Sequence, residues 1–171
     1  MPIAWWPTVM VMIVATVTDL RSRRIPNWLV FPFLSAGMVV STISAGWSGL
    51  GQSLLGILMA AVLMGLLYVL GGMGMGDVKL CAGLGAWVGP QQLGFALAFM
   101  GLAGGLMAFS WAIGRGFLKE SLSGAGDLIF GFGKRGLKPH PTLVLANPSA
   151  RTMPYAPAIA FGAILSFFAM S

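Results

Sequence analysis

Long apolar runs separated by short polar segments restrict the possible folds of this chain more than any other feature. Of its 171 residues, 57% are hydrophobic and only 8% are charged. A soluble domain carries about 25% charged residues, so this chain lacks the polar side chains that cover a surface in water. Each membrane crossing needs about 20 mostly apolar residues. The pattern therefore predicts an all-α, polytopic bundle of about six transmembrane helices, which form a single domain over residues 1–171.

The six predicted spans lie at 3–18, 28–45, 51–71, 78–89, 92–113 and 154–170. The fourth span is short, because Gly89-Pro90 ends it after a rise of about 18 Å, whereas the apolar core of a membrane is about 30 Å thick. This span either begins earlier or is shielded by its neighbours. The N-terminal run has no basic segment before it, so we do not expect a cleavable signal peptide.

The basic residues indicate the orientation of the bundle. All ten lysines and arginines fall in the segments 19–27, 72–79 and 114–153, and the loops around "AGWSGLGQ" and "VGPQQ" contain none. Lysine and arginine collect on the cytoplasmic side of membrane proteins. We therefore expect a multi-pass protein of the bacterial inner membrane with both termini on the non-cytoplasmic side. The net charge of +6 then reflects orientation, and no nucleic-acid partner is expected.

Two of the four acidic residues are predicted to lie at the cytoplasmic ends of spans. Asp19 ends the first span, and Asp77 lies between the third and the fourth. Two carboxylates that meet in a poorly solvated site share a proton, so one can activate water while the other protonates a carbonyl oxygen. The alternatives are a solvated charge cluster for Asp19, beside nearby arginines, and a helix cap for Asp77.

The segment before Asp77 reads "GGMGMG". We expect Gly72, Gly74 and Gly76 to adopt backbone angles that other residues avoid and to let a substrate chain approach closely. Elsewhere, the glycine spacing in "GLAGG", residues 101–105, predicts a close contact between helices.

The motifs around the two aspartates and at the start of the last apolar run resemble those of type IV prepilin peptidases. The stretch "DLRSRRIPN", residues 19–27, is similar to the family's first aspartate motif. The stretch "GMGDVKL", residues 74–80, is similar to its GxGD motif, and "MPYAPAIAFGA", residues 153–163, is similar to the start of its last span. The resemblance implies that Asp19 and Asp77 are the catalytic pair. The residues taken to support the site are Arg21, Pro26, Asn27, Gly74, Gly76 and Lys79.

The resemblance implies an aspartic endopeptidase that removes the leader of prepilin-like precursors at the cytoplasmic face and needs no cofactor. Larger members add a methyltransferase domain with paired cysteines, whereas this chain has one cysteine, Cys81. It therefore resembles the short form that serves tight-adherence (Flp-type) pili, and methyltransferase activity is not expected. It is also similar in length to archaeal preflagellin peptidases.

Several other sequence features allow a structural role. A second GxGD, "GAGD" ending at Asp127, lies in the basic segment 114–153 and is interpreted as part of a cytoplasmic loop. Basic residues of this loop could contact anionic lipid headgroups. Lys79 is either a snorkelling anchor or a residue that tunes the pair or contacts the substrate, and Cys81 is expected to fill the core. The lone His140 gives little support for a metal site.

Two other functions remain open on the sequence. In one, Asp19 and Asp77 bind or relay cations in a small transporter or channel. In the other, the GxGD chemistry is kept, but the substrates are other membrane proteins cut within their spans.

Overall fold

The computed structural model describes residues 4–70, 72–114 and 155–169. Four helices make up nearly all of this part of the chain. They are α1 (Trp5–Ser22), α2 (Asn27–Val69), α3 (Met75–Gly114) and α4 (Ala156–Ala169). The described residues include no strand. The predicted all-α fold is therefore confirmed.

The two long helices are each interrupted by one glycine. Gly46 in α2 has φ 61° and ψ −141°, and Gly89 in α3 has φ 72° and ψ 178°. Residues with a side chain rarely adopt such a φ. The Ser41 hydroxyl donates to the carbonyl of Gly49, at 3.2 Å, so α2 folds back on itself at Gly46.

With these breaks, the described chain consists of six helical segments. They are 5–22, 27–45, 47–69, 75–88, 90–114 and 156–169. These segments follow the six predicted apolar runs. The fourth begins at Met75, three residues before the predicted start at 78, so the short run belongs to a longer helical segment.

Small residues let α2 and α3 pack closely. Gly56 lies against the backbone of Gly85, where a Cβ on either glycine would have no room. The Ser53 hydroxyl donates to the carbonyl of Ala86 at 2.6 Å, in the same buried interface. By contrast, Gly101 and Gly105 have nothing within 4 Å of an added Cβ among the residues described. The close contact predicted from the 101–105 spacing therefore stays a prediction for these two glycines, while Gly104 in the same stretch is in ordinary contact with Ala158 of α4.

The last helix joins the first helix to the third. Gly162 of α4 lies directly against Ala96 and Met100 of α3. Trp5 of α1 meets Phe167 of α4 edge to face, with ring centroids 5.1 Å apart. α1 packs more extensively against α4 than against α2. The position of α1 therefore depends strongly on α4.

The exterior of the bundle is apolar. Many large hydrophobic side chains are exposed, among them Ile43, Trp47 and Leu106. Extensive apolar patches on a protein surface mark contact with lipid or with other proteins. Two helices, Asn27–Val69 and Met75–Ser110, are long and apolar enough to cross a membrane, and Ala156–Ala169 is a shorter apolar helix.

Candidate active site

Asp19 lies in the last turn of α1 and is only 7% exposed. The helix stops at Arg23, which has a left-handed backbone (φ 51°, ψ 35°) and donates its N–H to the carbonyl of Asp19 at 2.8 Å. The Asp19 carboxylate accepts a buried hydrogen bond at 3.1 Å from the N–H of Ala156, the first residue of α4. The solvated cluster considered for Asp19 is thus wrong, although Arg21 and Arg24 are exposed.

Asp77 is the third residue of α3 and is 8% exposed. Its Oδ2 accepts a hydrogen bond from the N–H of Gly74, just before the helix, at 3.3 Å. An acidic side chain at this position that reaches back to the preceding N–H forms half of a capping box. The capping interaction considered for Asp77 is therefore present, and it also fixes one oxygen of the carboxylate.

The two carboxylates lie at the same end of the bundle. The charge of Asp19 acts on Asp77, and the charge of Asp77 acts on the phenol of Tyr155, which precedes α4. Two acids within electrostatic range in a poorly solvated place do not both ionise easily. Such a pair can hold one proton between them and activate a water molecule.

The glycines before Asp77 do not have the backbone angles that we expected. The structure gives none of Gly72, Gly74 and Gly76 a φ in the left-handed region, so the predicted backbone angles are wrong, whereas the close approach of a substrate chain stays a prediction. Gly74 instead supplies the N–H that holds Asp77. A Cβ on Gly76 would lie 3.1 Å from the Cβ of Ile25, so the missing side chain lets the 23–26 linker approach α3.

The remaining predicted support residues surround this linker. Pro26 has extended backbone angles (φ −72°, ψ 139°) and precedes Asn27, the first residue of α2. The Lys79 ammonium donates to the Asn27 side-chain oxygen at 3.2 Å and lies 5.6 Å from the centre of the Phe31 ring. The linker after Asp19 is thus connected to the helix that carries Asp77. Cys81 is fully buried in the core, as its interpretation as a filler predicted.

The sequence marked the start of α4 as similar to the family's last span, but it did not indicate that this stretch would contact Asp19. Pro154 and Pro157 flank Tyr155 and Ala156, but the group that reaches Asp19 is a backbone N–H. Every residue except proline has such a group, so no residue type points to it.

The basic segment 114–153 lies outside the described residues except for Gly114, because these residues end there and resume at 155. Asp127, His140 and the basic residues expected at lipid headgroups fall there. Within the described ranges, no group of three or more histidine, cysteine, aspartate or glutamate side chains could hold a metal ion.

The fold and the site define an apolar helical protein with a buried pair of aspartates at one end of its bundle. The chain belongs to the type IV leader peptidase family. The family's model matches residues 6–113, more than half of the chain, and this range contains both aspartates and all six support residues.

Curated relatives agree with this family. Over 159 residues the chain is 30% identical to a prepilin leader peptidase/N-methyltransferase of Bacillus subtilis (strain 168), covering 91% of this chain and 51% of the relative. A protein of the same name from Aeromonas hydrophila is 34% identical over 104 residues, 57% of this chain and 36% of the relative. The chain thus spans about half the length of these relatives or less. No solved structure gives a significant match.

Proposed function

We propose that this chain is a membrane aspartic endopeptidase that removes the leader of type IV, Flp-like prepilins at the cytoplasmic face. The observation that carries the proposal is the convergence of Asp19 and Asp77, which are both buried and belong to different helices, in a member of the leader peptidase family. The names of the relatives support a prepilin as the substrate.

In the proposed mechanism, water attacks the scissile carbonyl without a covalent intermediate. One carboxylate of the pair takes a proton from the water as its oxygen bonds to the carbonyl carbon, and the other carboxyl gives its proton to the carbonyl oxygen. As the C–N bond breaks, the carboxyl that took the proton of the water gives it to the leaving nitrogen, and the other carboxylate takes a proton from the gem-diol hydroxyl as the carbonyl re-forms. The N–H groups of Ala156 and Gly74 each hold one carboxylate oxygen, which fixes the orientation of the two acids.

The proposed setting is the bacterial inner membrane, with six spans, both termini outside and the aspartates on the cytoplasmic side. Two helices of sufficient length and apolarity, together with the exposed apolar exterior, support a place in the membrane. Segment 114–153 is proposed to be a cytoplasmic basic loop within the single domain, with its cations near anionic headgroups.

The test is leader removal from a purified Flp-type prepilin by the full chain in proteoliposomes. Asp19→Asn and Asp77→Asn keep the side-chain shape but remove the acid, and each is expected to lower the rate by about 10²–10⁴-fold. Asp127→Asn, in the second GxGD, is the matched control and is expected to cleave like the wild type.

Normal processing by either D19N or D77N would exclude the two-aspartate mechanism. If D127N abolished cleavage while D77N did not, the second GxGD would be the catalytic one. Ion flux through the same proteoliposomes without cleavage would favour the transporter alternative. Cleavage of other membrane proteins, but not of the prepilin, would favour the third function.

A further inference from the structure

The two aspartates lie on helices that have little direct contact. Asp19 is near the end of α1, which packs chiefly on α4, whereas Asp77 begins α3, which packs chiefly on α2 and α4. α1 and α2 contact each other only sparsely. The separation of the carboxylates therefore depends on α4, which packs on both helices, and on a few local contacts between the end of α1 and the start of α3.

The 23–26 linker, with the first residue of α2, provides such contacts. It leaves α1 directly after the turn that contains Asp19 and enters α2 at Asn27. Ile25 packs against Gly76, one residue before Asp77, at the close approach described above. Asn27 accepts a hydrogen bond from Lys79, two residues after Asp77. We call these two interactions the linker contact.

The surroundings of Lys79 favour a fixed position for its ammonium group. Phe31 lies one helical turn after Asn27, so its ring and the Asn27 side chain face the same way. The ring attracts the cation from one side, while the Asn27 oxygen accepts a hydrogen bond from it at 3.2 Å. Lys79 thus contacts two residues of α2 and is not merely extended toward the membrane surface.

The Lys79 ammonium group contacts α2, at the Asn27 oxygen and the Phe31 ring. Residues two apart on a helix point to different sides, so the position of Lys79 directs it toward α2 rather than toward the carboxylates.

We propose that Lys79 and Asn27 are positioning residues, whose hydrogen bond holds the α1–α2 linker on the first turn of α3 and so sets the separation of Asp19 and Asp77. This inference rests on the proposed function. It assigns the lysine that follows the GxGD motif to the geometry of the site, acting through Asn27.

The first experiment is a double-mutant cycle on prepilin cleavage in proteoliposomes. K79M and N27A are each expected to lower kcat about tenfold, because small displacements of reacting groups are costly, with KM within about twofold of the wild type. K79M/N27A is expected to be no slower than the slower single variant, because both changes break one interaction. K79R, which keeps the donor, is expected to retain kcat within about threefold.

The matched control is R24M. It removes one basic side chain from the same end of the bundle at an exposed position. It is expected to leave kcat unchanged, which separates loss of the linker contact from loss of positive charge. Multiplicative losses in the double variant, or an effect on KM alone, would overturn the proposal.

The second experiment measures distance without any substrate. Spin labels are attached at L20C and M75C, which are exposed positions near the two aspartates in sequence. Pulsed electron paramagnetic resonance then reports the distance between the labels, and so the separation of α1 and α3. K79M is expected to broaden the distance distribution, and R24M to leave it as in the wild type. An unchanged distribution in K79M would contradict the inference. If the wild type cleaves no prepilin, the proposed function fails, but the label distances still decide whether the linker contact positions the helices.

Discussion

Gly76 contributes to the site through the side chain that it lacks. An added Cβ would lie 3.1 Å from the Cβ of Ile25, closer than ordinary van der Waals contact. A methyl group there would displace the linker that follows Asp19. The glycine therefore matters for packing between two segments rather than for an unusual backbone angle, since its φ is not left-handed.

This role of Gly76 predicts a selective effect of Gly76→Ala. We expect the free energy of unfolding to fall by about 1 kcal/mol through overpacking, which lowers Tm by about 2–4 °C in a chain of this size. The change in Tm is measured by thermal unfolding of the purified protein in detergent.

Gly65→Ala is the control for Gly76→Ala, because Gly65 lies within α2 and has nothing within 4 Å of an added Cβ among the described residues. Replacing this glycine by alanine inside a helix is expected to raise the free energy of unfolding by up to about 1 kcal/mol. An equal loss in both variants would mean that the contact with Ile25 is not the cause.

The sequence identified the side chains of the candidate site better than its backbone groups. Asp19 and Asp77 stood out because an acid at the end of an apolar run is costly unless it has a function, and the structure buries both at one end of the bundle. The catalytic role itself stays a prediction. The N–H of Ala156 could not be found in the same way, because a backbone group leaves no trace in residue type.

At the scale of the helices, α4 connects the two halves of the site. It packs on both α1 and α3, and its first N–H reaches Asp19. A hydrogen bond to a charged group contributes about 1.5–3 kcal/mol. The start of α4 thus adds a direct contribution to the orientation of one carboxylate.

Ala156→Pro tests this contribution by removing the N–H itself. Proline is well suited to the first position of a helix, so α4 can still form. We expect the rate of prepilin cleavage to fall at least about tenfold, measured as the initial rate in proteoliposomes.

The control for this change is Ala156→Val, which adds similar bulk at the same buried position but keeps the donor. Equal losses in the two variants would assign the effect to crowding. Full activity in A156P would show that Asp19 does not depend on this bond.

The helical segments were predictable from the sequence because long apolar runs have few alternatives to helix. The contacts between helices were not. Among the described residues, the closest approaches occur at single glycines on different helices, such as Gly56 against Gly85. A glycine spacing within one helix does not identify the face that meets a partner, since that depends on the packing of the whole bundle.

At the scale of the whole molecule, the proposed topology places the two ends of the bundle on opposite sides of the membrane. Arg24 lies in the linker near the aspartates, and Ser48 lies beside the Gly46 turn, and both are exposed. The outside position of Ser48 follows from the distribution of basic residues.

Cysteine labelling tests this arrangement. In intact spheroplasts, S48C is expected to react with a membrane-impermeant maleimide, and R24C only after permeabilisation. Cys81 is fully buried, so the unmodified chain serves as the background control. The opposite pattern of labelling would invert the topology and place the aspartates outside.

The hydrogen bond between Asp19 and Ala156 also has a consequence for the order of synthesis. Its two partners are 137 residues apart, so a ribosome has translated the first three helices before the donor exists. Until α4 inserts, the carboxylate of Asp19 lacks this backbone donor. The nascent chain therefore assembles the site late, and a chain that stops before residue 156 carries both aspartates without the contact that orients the first.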